Sequence, residues 1–184
     1  MSSLLLSLAA GGATVPSRSA AAKLAQGRML VAYFSRSGNT RVVAGRVSLA
    51  LGADLLAIEP RTPYPADYFE TVEQAKRETD RGFEPPLMAT VPELARYTTV
   101  FLGFPIWGMT PPPVIRAFLA AHDLAGKTII PLVTHGGFGI GDSLEVISRH
   151  APNAIRVDGF SMQAPQERQT IEKVTNWLQS LAPR

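Results

Sequence analysis

The chain has no cysteine in its 184 residues. Disulfides, thiolate metal sites, iron–sulfur clusters and a cysteine nucleophile are all excluded, and the redox compartment stays open. No apolar run reaches the roughly 18–20 residues needed to span a bilayer, so stable membrane insertion is not expected. Basic residues outnumber acidic ones by 18 to 15, for a net charge of +3, yet they are scattered singly. That pattern suits a solvated surface, not a nucleic-acid stripe, and leaves only a lean toward acidic partners. Two nucleotide signatures are missing as well. Neither G-x-G-x-x-G nor G-x-x-x-x-G-K-[ST] occurs, which argues against ATP and against a tightly held NAD. Histidines are few: His122, His135 and His150 fall on different elements without metal-ligand spacing. His122 and His150 each sit near a predicted helix C-terminus, where a cation is favoured. His135, Asp142 and Ser143 are close in sequence, but G-x-S-x-G is absent and Ser143 reads as a first-turn helix residue. A hydrolase is not expected.

What is present describes a globular domain, 46% hydrophobic and 18% charged. Residues 1–28 differ from the rest. The stretch Leu4-Leu5-Leu6-Ser7-Leu8-Ala9-Ala10, then Gly11-Gly12-Ala13, then Ser19-Ala20-Ala21-Ala22, resembles the apolar and cleavage regions of a twin-arginine export signal. No basic residue precedes Leu4. Two readings stay open: an export signal whose true start lies upstream, giving a periplasmic protein, or a flexible tail on a cytoplasmic one. Either way the folded unit is expected over 29–184.

From Met29 onward, short apolar runs alternate with amphipathic stretches. Strands are predicted at 29–34, 53–58, 98–104, 127–134 and 154–162, from continuous β-rich runs. Helices are predicted at 38–51, 66–81, 114–121, 142–150 and 165–181. The first carries Val42, Val43, Val47 and Leu51 at helical spacing and closes on Gly52. Prolines 111–113 open the third, where missing N–H groups do least harm. Five alternations specify an α/β fold: a five-stranded parallel sheet, doubly wound, in three α/β/α layers.

In such a sheet, ligands bind outside the carboxyl ends of the strands. Three loops there carry chemistry. Ser35-Arg36-Ser37-Gly38-Asn39-Thr40 offers hydroxyls, an amide and the free N–H groups of a helix start, which together attract an anion. A plain capped turn uses the same residue types, with Ser and Asn satisfying the helix end. Gly103-Phe104-Pro105-Ile106-Trp107-Gly108 places a tryptophan beyond a central strand, where its face can stack on a flat heterocycle or cover the sheet end. Thr134-His135-Gly136-Gly137-Phe138-Gly139-Ile140-Gly141-Asp142 lets backbone lie against a ligand, or forms a pliable surface loop.

Residues Ser35–Thr40 resemble the S-x-[ST]-G-N-T phosphate signature of flavodoxins, and the other two loops are similar to the ring-holding loops of a flavodoxin-like subfamily. Tyr64-Pro65-Ala66-Asp67-Tyr68 resembles the same subfamily. The resemblance runs from about Met29 to Leu181. It implies a flavodoxin-like fold and bound FMN. Ser35, Ser37, Gly38, Asn39 and Thr40 would hold the phosphate, with Arg36 adding charge or facing solvent. Pro105, Ile106, Trp107 and Gly108 would line one side of the isoalloxazine. Thr134, His135, Gly136 and Gly137 would supply backbone contacts on the other edge, continued by Phe138 and Gly139. Asp142 would contact the ribityl or ring edge, or cap the following helix.

The implied role is electron transfer to a redox partner protein or a small-molecule acceptor. An NAD(P)H-dependent FMN quinone or flavin reductase is the alternative, and a flavin-free interaction module of the same fold a third. Flavodoxin-like carriers are usually acidic, which disfavours the anionic reduced flavin; this chain is basic, and so departs from them. Oligomeric state is not legible.

Overall fold

The computed structural model describes residues 27–164 and 167–181. The signal-like reading of residues 1–28 lies outside the described residues except for Gly27 and Arg28. Among the described residues, six strands and five helices follow in chain order: β1 (Arg28–Tyr33), α1 (Asn39–Leu51), β2 (Asp54–Ala57), α2 (Tyr68–Asp80), β3 (Tyr97–Pro105), α3 (Pro113–Ala121), β4 (Thr128–His135), α4 (Ser143–His150), β5 (Ile155–Arg156), β6 (Phe160–Gln163) and α5 (Glu167–Leu181). A 3₁₀ turn at Leu94–Arg96 precedes β3; the sequence pattern did not reveal it. All strand pairings are parallel, in the order β2-β1-β3-β4, with β5 and β6 both on the far edge of β4.

The core divides by face. Val31, Phe101, Ile130 and Leu132 point to one side, where Val43, Ala44 and Val47 of α1 and Val174 of α5 cover them. Leu30, Leu102, Phe104 and Ile129 point to the other, against Val114, Ile115 and Phe118 of α3 and Ile147 of α4. Alternate strand residues face opposite layers, so β3 and β4 read as continuous apolar runs. Val42, expected on the covered stripe of α1, is partly exposed; Ala44 takes its place. α2 packs on α3 through few contacts, and its buried positions are Thr71, Ala75 and Glu78. Asp67 caps it, accepting the Glu70 N–H at 3.0 Å.

The single strand expected over 154–162 is broken in two, and Pro131 explains the break. Ile155 and Val157 donate to the carbonyls of Lys127 and Ile129, while Ile106 donates to that of Thr134. Odd-numbered residues of β4 thus face the sheet edge and even-numbered ones face β3. Pro131 is odd, so its missing N–H falls on the edge side, where proline is tolerated. The edge chain bulges past it: Ile129 pairs with Arg156, but Leu132 pairs with Phe160, one residue out of step. Gly159 makes the close pass, since a Cβ there would lie 2.0 Å from the Pro131 carbonyl oxygen.

At the amino ends of the strands a charged cluster is well paired. Asp54 accepts from Tyr97 at 2.7 Å and from Arg28 at 3.1 Å. The Tyr97 hydrogen bond, helped by the Arg28 charge, holds its carboxyl below the usual carboxylate range. The carboxyl ends look different. Among the described residues no helix is long and apolar enough to cross a membrane, and no group of His, Asp and Glu is placed to hold a metal.

Candidate functional site

The loop after β1 leaves a helix end open. Gly38, at φ 92, starts α1 without any side-chain cap, and the first turn holds no acidic residue. Ser35 Oγ accepts the Gly38 N–H at 3.1 Å, which bends the loop instead of capping the helix. The N–H groups of Asn39, Thr40 and Arg41 have no partner among the described residues. No side chain caps the helix, and the free donors with the helix dipole make a start that could hold an anion. Thr40 is buried, its hydroxyl 2.8 Å from that of Thr134. Two hydroxyls bring two hydrogens and the pair uses one. The other is left to donate, and neither oxygen has a further partner among the described residues.

Arg41 escaped the sequence reading. It stands in the first turn of α1, where the dipole disfavours a cation, and makes no ion pair among the described residues. The available signal was a basic residue three places past Gly38, where Asp or Glu is the norm. Arg36 is tethered, donating to the Ala66 carbonyl at 2.6 Å and lying over the Tyr68 ring at 5.9 Å.

Beyond β3, Trp107 and Thr110 exchange two backbone hydrogen bonds around Gly108 and Met109. Both central residues have positive φ, 58 and 69, as in a type I′ turn. Met109 adopts this at a cost of about 1 kcal/mol, since its Cβ crowds the backbone there. The Asp142 N–H donates to the Met109 carbonyl at 3.0 Å, and a Cβ on Gly141 would lie 1.8 Å from the same oxygen. Trp107 is half-buried in an aromatic triad, edge-on to Tyr64 (5.0 Å, 86°) and to Phe34 (5.4 Å, 83°). Tyr64 in turn donates to Glu78 of α2 at 2.8 Å, and Gln74 holds the other Glu78 oxygen. Burial first, and then Glu78, raises the Tyr64 pKa well above that of a free phenol.

The loop beyond β4 is organised by its histidine. His135 Nδ1 accepts from the N–H groups of Gly137 and Gly139, at 3.2 and 3.3 Å. Gly136 is open, and Phe138 is 80% exposed. Thr134 is buried, spending its carbonyl on Ile106 and its hydroxyl on Thr40. Asp142 stands at the head of α4, but its carboxylate caps nothing; its role here is through its backbone. Ser143 donates instead to the Ile140 carbonyl. The expectation that a cation suits His122 is corrected too. Its Nε2 accepts the Val91 N–H at 2.8 Å and its Nδ1 faces the Phe118 carbonyl, which fits the neutral ring. His150 lies between the Val146 carbonyl and Glu84.

The predicted residues converge. Thr40 meets Thr134, Phe34 meets Trp107, Ile106 meets Thr134 and Asp142 meets Met109, all at one sheet end. A cavity of about 550 Å³ adjoins this point. Its wall includes Ser35, Arg36, Ser37 and Gly38, yet neither Trp107 nor the glycine loop, because it opens toward β2.

The flavodoxin family model matches residues 28–181. A protein from Bacteroides eggerthii DSM 20697 assigned as a flavoprotein is 30% identical, over 85% of this chain and 99% of its own, with a TM-score of 0.71. One from Bacteroides uniformis ATCC 8492 is likewise 30% identical, over 83% and 98%, with a TM-score of 0.74. A flavoprotein in complex with FMN from Lactobacillus acidophilus NCFM shares the fold at 17% identity, over 73% and 93%, with a TM-score of 0.67. No curated protein sequence matches.

Proposed function

Because the chain belongs to the flavodoxin family, we propose that it binds FMN non-covalently and serves as an electron-transfer protein. One observation carries this reading: α1 begins at the end of β1 with no side-chain cap, no acid and two arginines beside it. A phosphate dianion supplies what that helix end lacks. Ser35, Ser37, Gly38, Asn39 and Thr40 hold it, the last by the hydroxyl hydrogen left over from the Thr134 pair. Arg36 and Arg41 add charge. Pro105, Ile106, Trp107 and Gly108 line one side of the ring, and Gly136, Gly137, Phe138 and Gly139 the other. Thr134 and His135 support Thr40 and the glycine loop behind this surface. Asp142 holds the Met109 turn in place. Bound there, the flavin supplies one- and two-electron redox chemistry, while the chain orients it and sets the charge around it. The cavity beside the phosphate loop favours a second reading, a reductase that admits NAD(P)H next to the flavin.

The test is direct. Purified protein should be yellow, and flavin released by acid should chromatograph as FMN. A colourless protein that takes up no FMN on reconstitution overturns the proposal.

A further inference from the structure

The cavity at the ends of β1 and β2 has a chemistry of its own. It is lined by the phosphate loop with Arg36 and Arg41, and by Glu59, two residues beyond β2. Neither the Arg41 nor the Glu59 side chain has a hydrogen bond or ion pair among the described residues. An unpaired cation and an unpaired carboxylate thus share one hollow. Between them lie flat or apolar side chains, among them Tyr64, Pro63 and Met88. The rim is braced rather than loose. Pro60 bridges Leu87 in antiparallel fashion, Met88 donates to the Glu59 carbonyl at 2.8 Å and Arg61 to that of Pro86 at 2.7 Å.

The ligand that fits has an anionic group for the arginines, hydroxyls to donate to a carboxylate, and a flat body for the apolar wall. A nucleotide has all three. The topology agrees. In dinucleotide-binding folds, the loop after the first strand takes phosphate, and an acidic residue about 20 positions on, at the end of the neighbouring strand, takes the ribose hydroxyls. Glu59 stands at that place relative to Gly38, about 20 positions on and on the strand beside β1. We propose that this cavity is an adenine-nucleotide subsite, with Glu59 holding the ribose and Arg41 lending its charge to the nucleotide phosphate as well as to that of FMN. The missing G-x-G-x-x-G fingerprint makes it an exchangeable site, not a permanent one. Two sources share that chemistry: the adenosine half of NAD(P)H beside FMN, or the adenosine half of an FAD spanning both sides of the loop. The inference rests on the preceding reading only in placing FMN phosphate on the front of the loop.

The experiment is calorimetric titration of ADP into full-length protein saturated with FMN, with the flavin spectrum monitored. One ADP should bind per chain without releasing FMN. Glu59→Gln should weaken ADP about tenfold, the loss of a charged hydrogen-bond acceptor, and leave the FMN Kd within twofold. 2′,3′-Dideoxy-ADP should bind the parent as weakly as ADP binds Glu59→Gln. If the native protein releases FAD, and ADP binds only after exchange into FMN, the subsite stands and FAD is its source. If ADP binds the FMN-saturated form, it stands with a free nucleotide as source. Absence of ADP binding in both flavin-free and FMN-saturated protein overturns the subsite, as does displacement of FMN by ADP or indifference to Glu59→Gln. Failure of FMN binding alone, with ADP binding kept, counts against the preceding proposal only.

Discussion

Gly141→Ala tests whether the two ring-facing loops are pinned together. The new methyl would lie 1.8 Å from the Met109 carbonyl oxygen, and real Cβ contacts do not fall below 3.0 Å, so the two loops have to part. The same oxygen accepts the Asp142 N–H at 3.0 Å. Parting therefore stretches that bond to near loss, at about 1 kcal/mol. Alanine at φ 55 adds about 1 kcal/mol of backbone strain. The expected cost is about 2–3 kcal/mol.

Two neighbouring glycines separate these terms. Gly139 has φ 75 and open space around its Cβ direction, so Gly139→Ala should show the strain alone, about 1 kcal/mol. Gly136 has open space and no positive φ, so Gly136→Ala should be neutral or slightly stabilising. Urea unfolding of flavin-free protein measures the series, and flavin fluorescence quenching measures FMN affinity. Affinity should fall at least tenfold for Gly141→Ala and only a few-fold for the other two, because only the first moves the turn that carries Trp107. If Gly141→Ala costs no more than Gly139→Ala, the loops are not held by the Met109 carbonyl and the reasoning is wrong.

Two further outcomes follow from named groups. Arg41→Glu replaces a cation that the α1 dipole disfavours by an acid that it favours, so flavin-free protein should gain about 0.5–1 kcal/mol in urea while FMN binding weakens tenfold or more. A loss of stability, or unchanged FMN affinity, removes Arg41 from the site. Tyr64→Phe probes the alkaline side. The folded-state pKa of Tyr64 is raised, so its stabilisation is complete below the unfolded value of about 10 and is lost as pH rises through the folded one. Parent stability should fall above about pH 10 by up to about 1.4 kcal/mol per unit more steeply than that of Tyr64→Phe, less for partial exposure. Parallel curves between pH 8 and 11 refute this.

The order of elements was legible because β1, β3 and β4 are buried on both faces and read as apolar runs. The broken edge strand was not. Pro131 announces a missing N–H, but only the pairing shows that it faces the edge, and Gly159 looks ordinary until the carbonyl beneath it is known. At the site, Ser35–Thr40 was legible from residue types at a strand end. The role of Thr134 was not, since a hydroxyl bond to Thr40 spans 94 positions of sequence. The side-chain role of His135 was not legible for a related reason: sequence marks a polar ring in a glycine loop, not which N–H groups it will gather. The helix start at Asp142 was found, yet its side chain does not cap, and nothing in the sequence separates a capping aspartate from an idle one.

Three departures from local rules meet at the carboxyl ends of β1, β3 and β4. A chain folding only for its own stability would place an acid in the first turn of α1, cap that helix, and put glycine rather than methionine at φ 69. Here Arg41 opposes the dipole, Gly38 leaves the helix uncapped, and Met109 is strained. Each costs about 0.5–1 kcal/mol, and all three sit where β1, β3 and β4 end. At the amino ends of the same strands, Asp54 accepts from Tyr97 and Arg28 and pairs with Arg96, while Glu93 ahead of β3 is also at positive φ. Two of the three costs are relieved by the same thing, negative charge in front of α1. The third, at Met109, is held by a hydrogen bond from the loop that faces it. If the FMN phosphate docks as proposed, the stability given up at the start of α1 is recovered on binding, and folding stability is linked to the ligand.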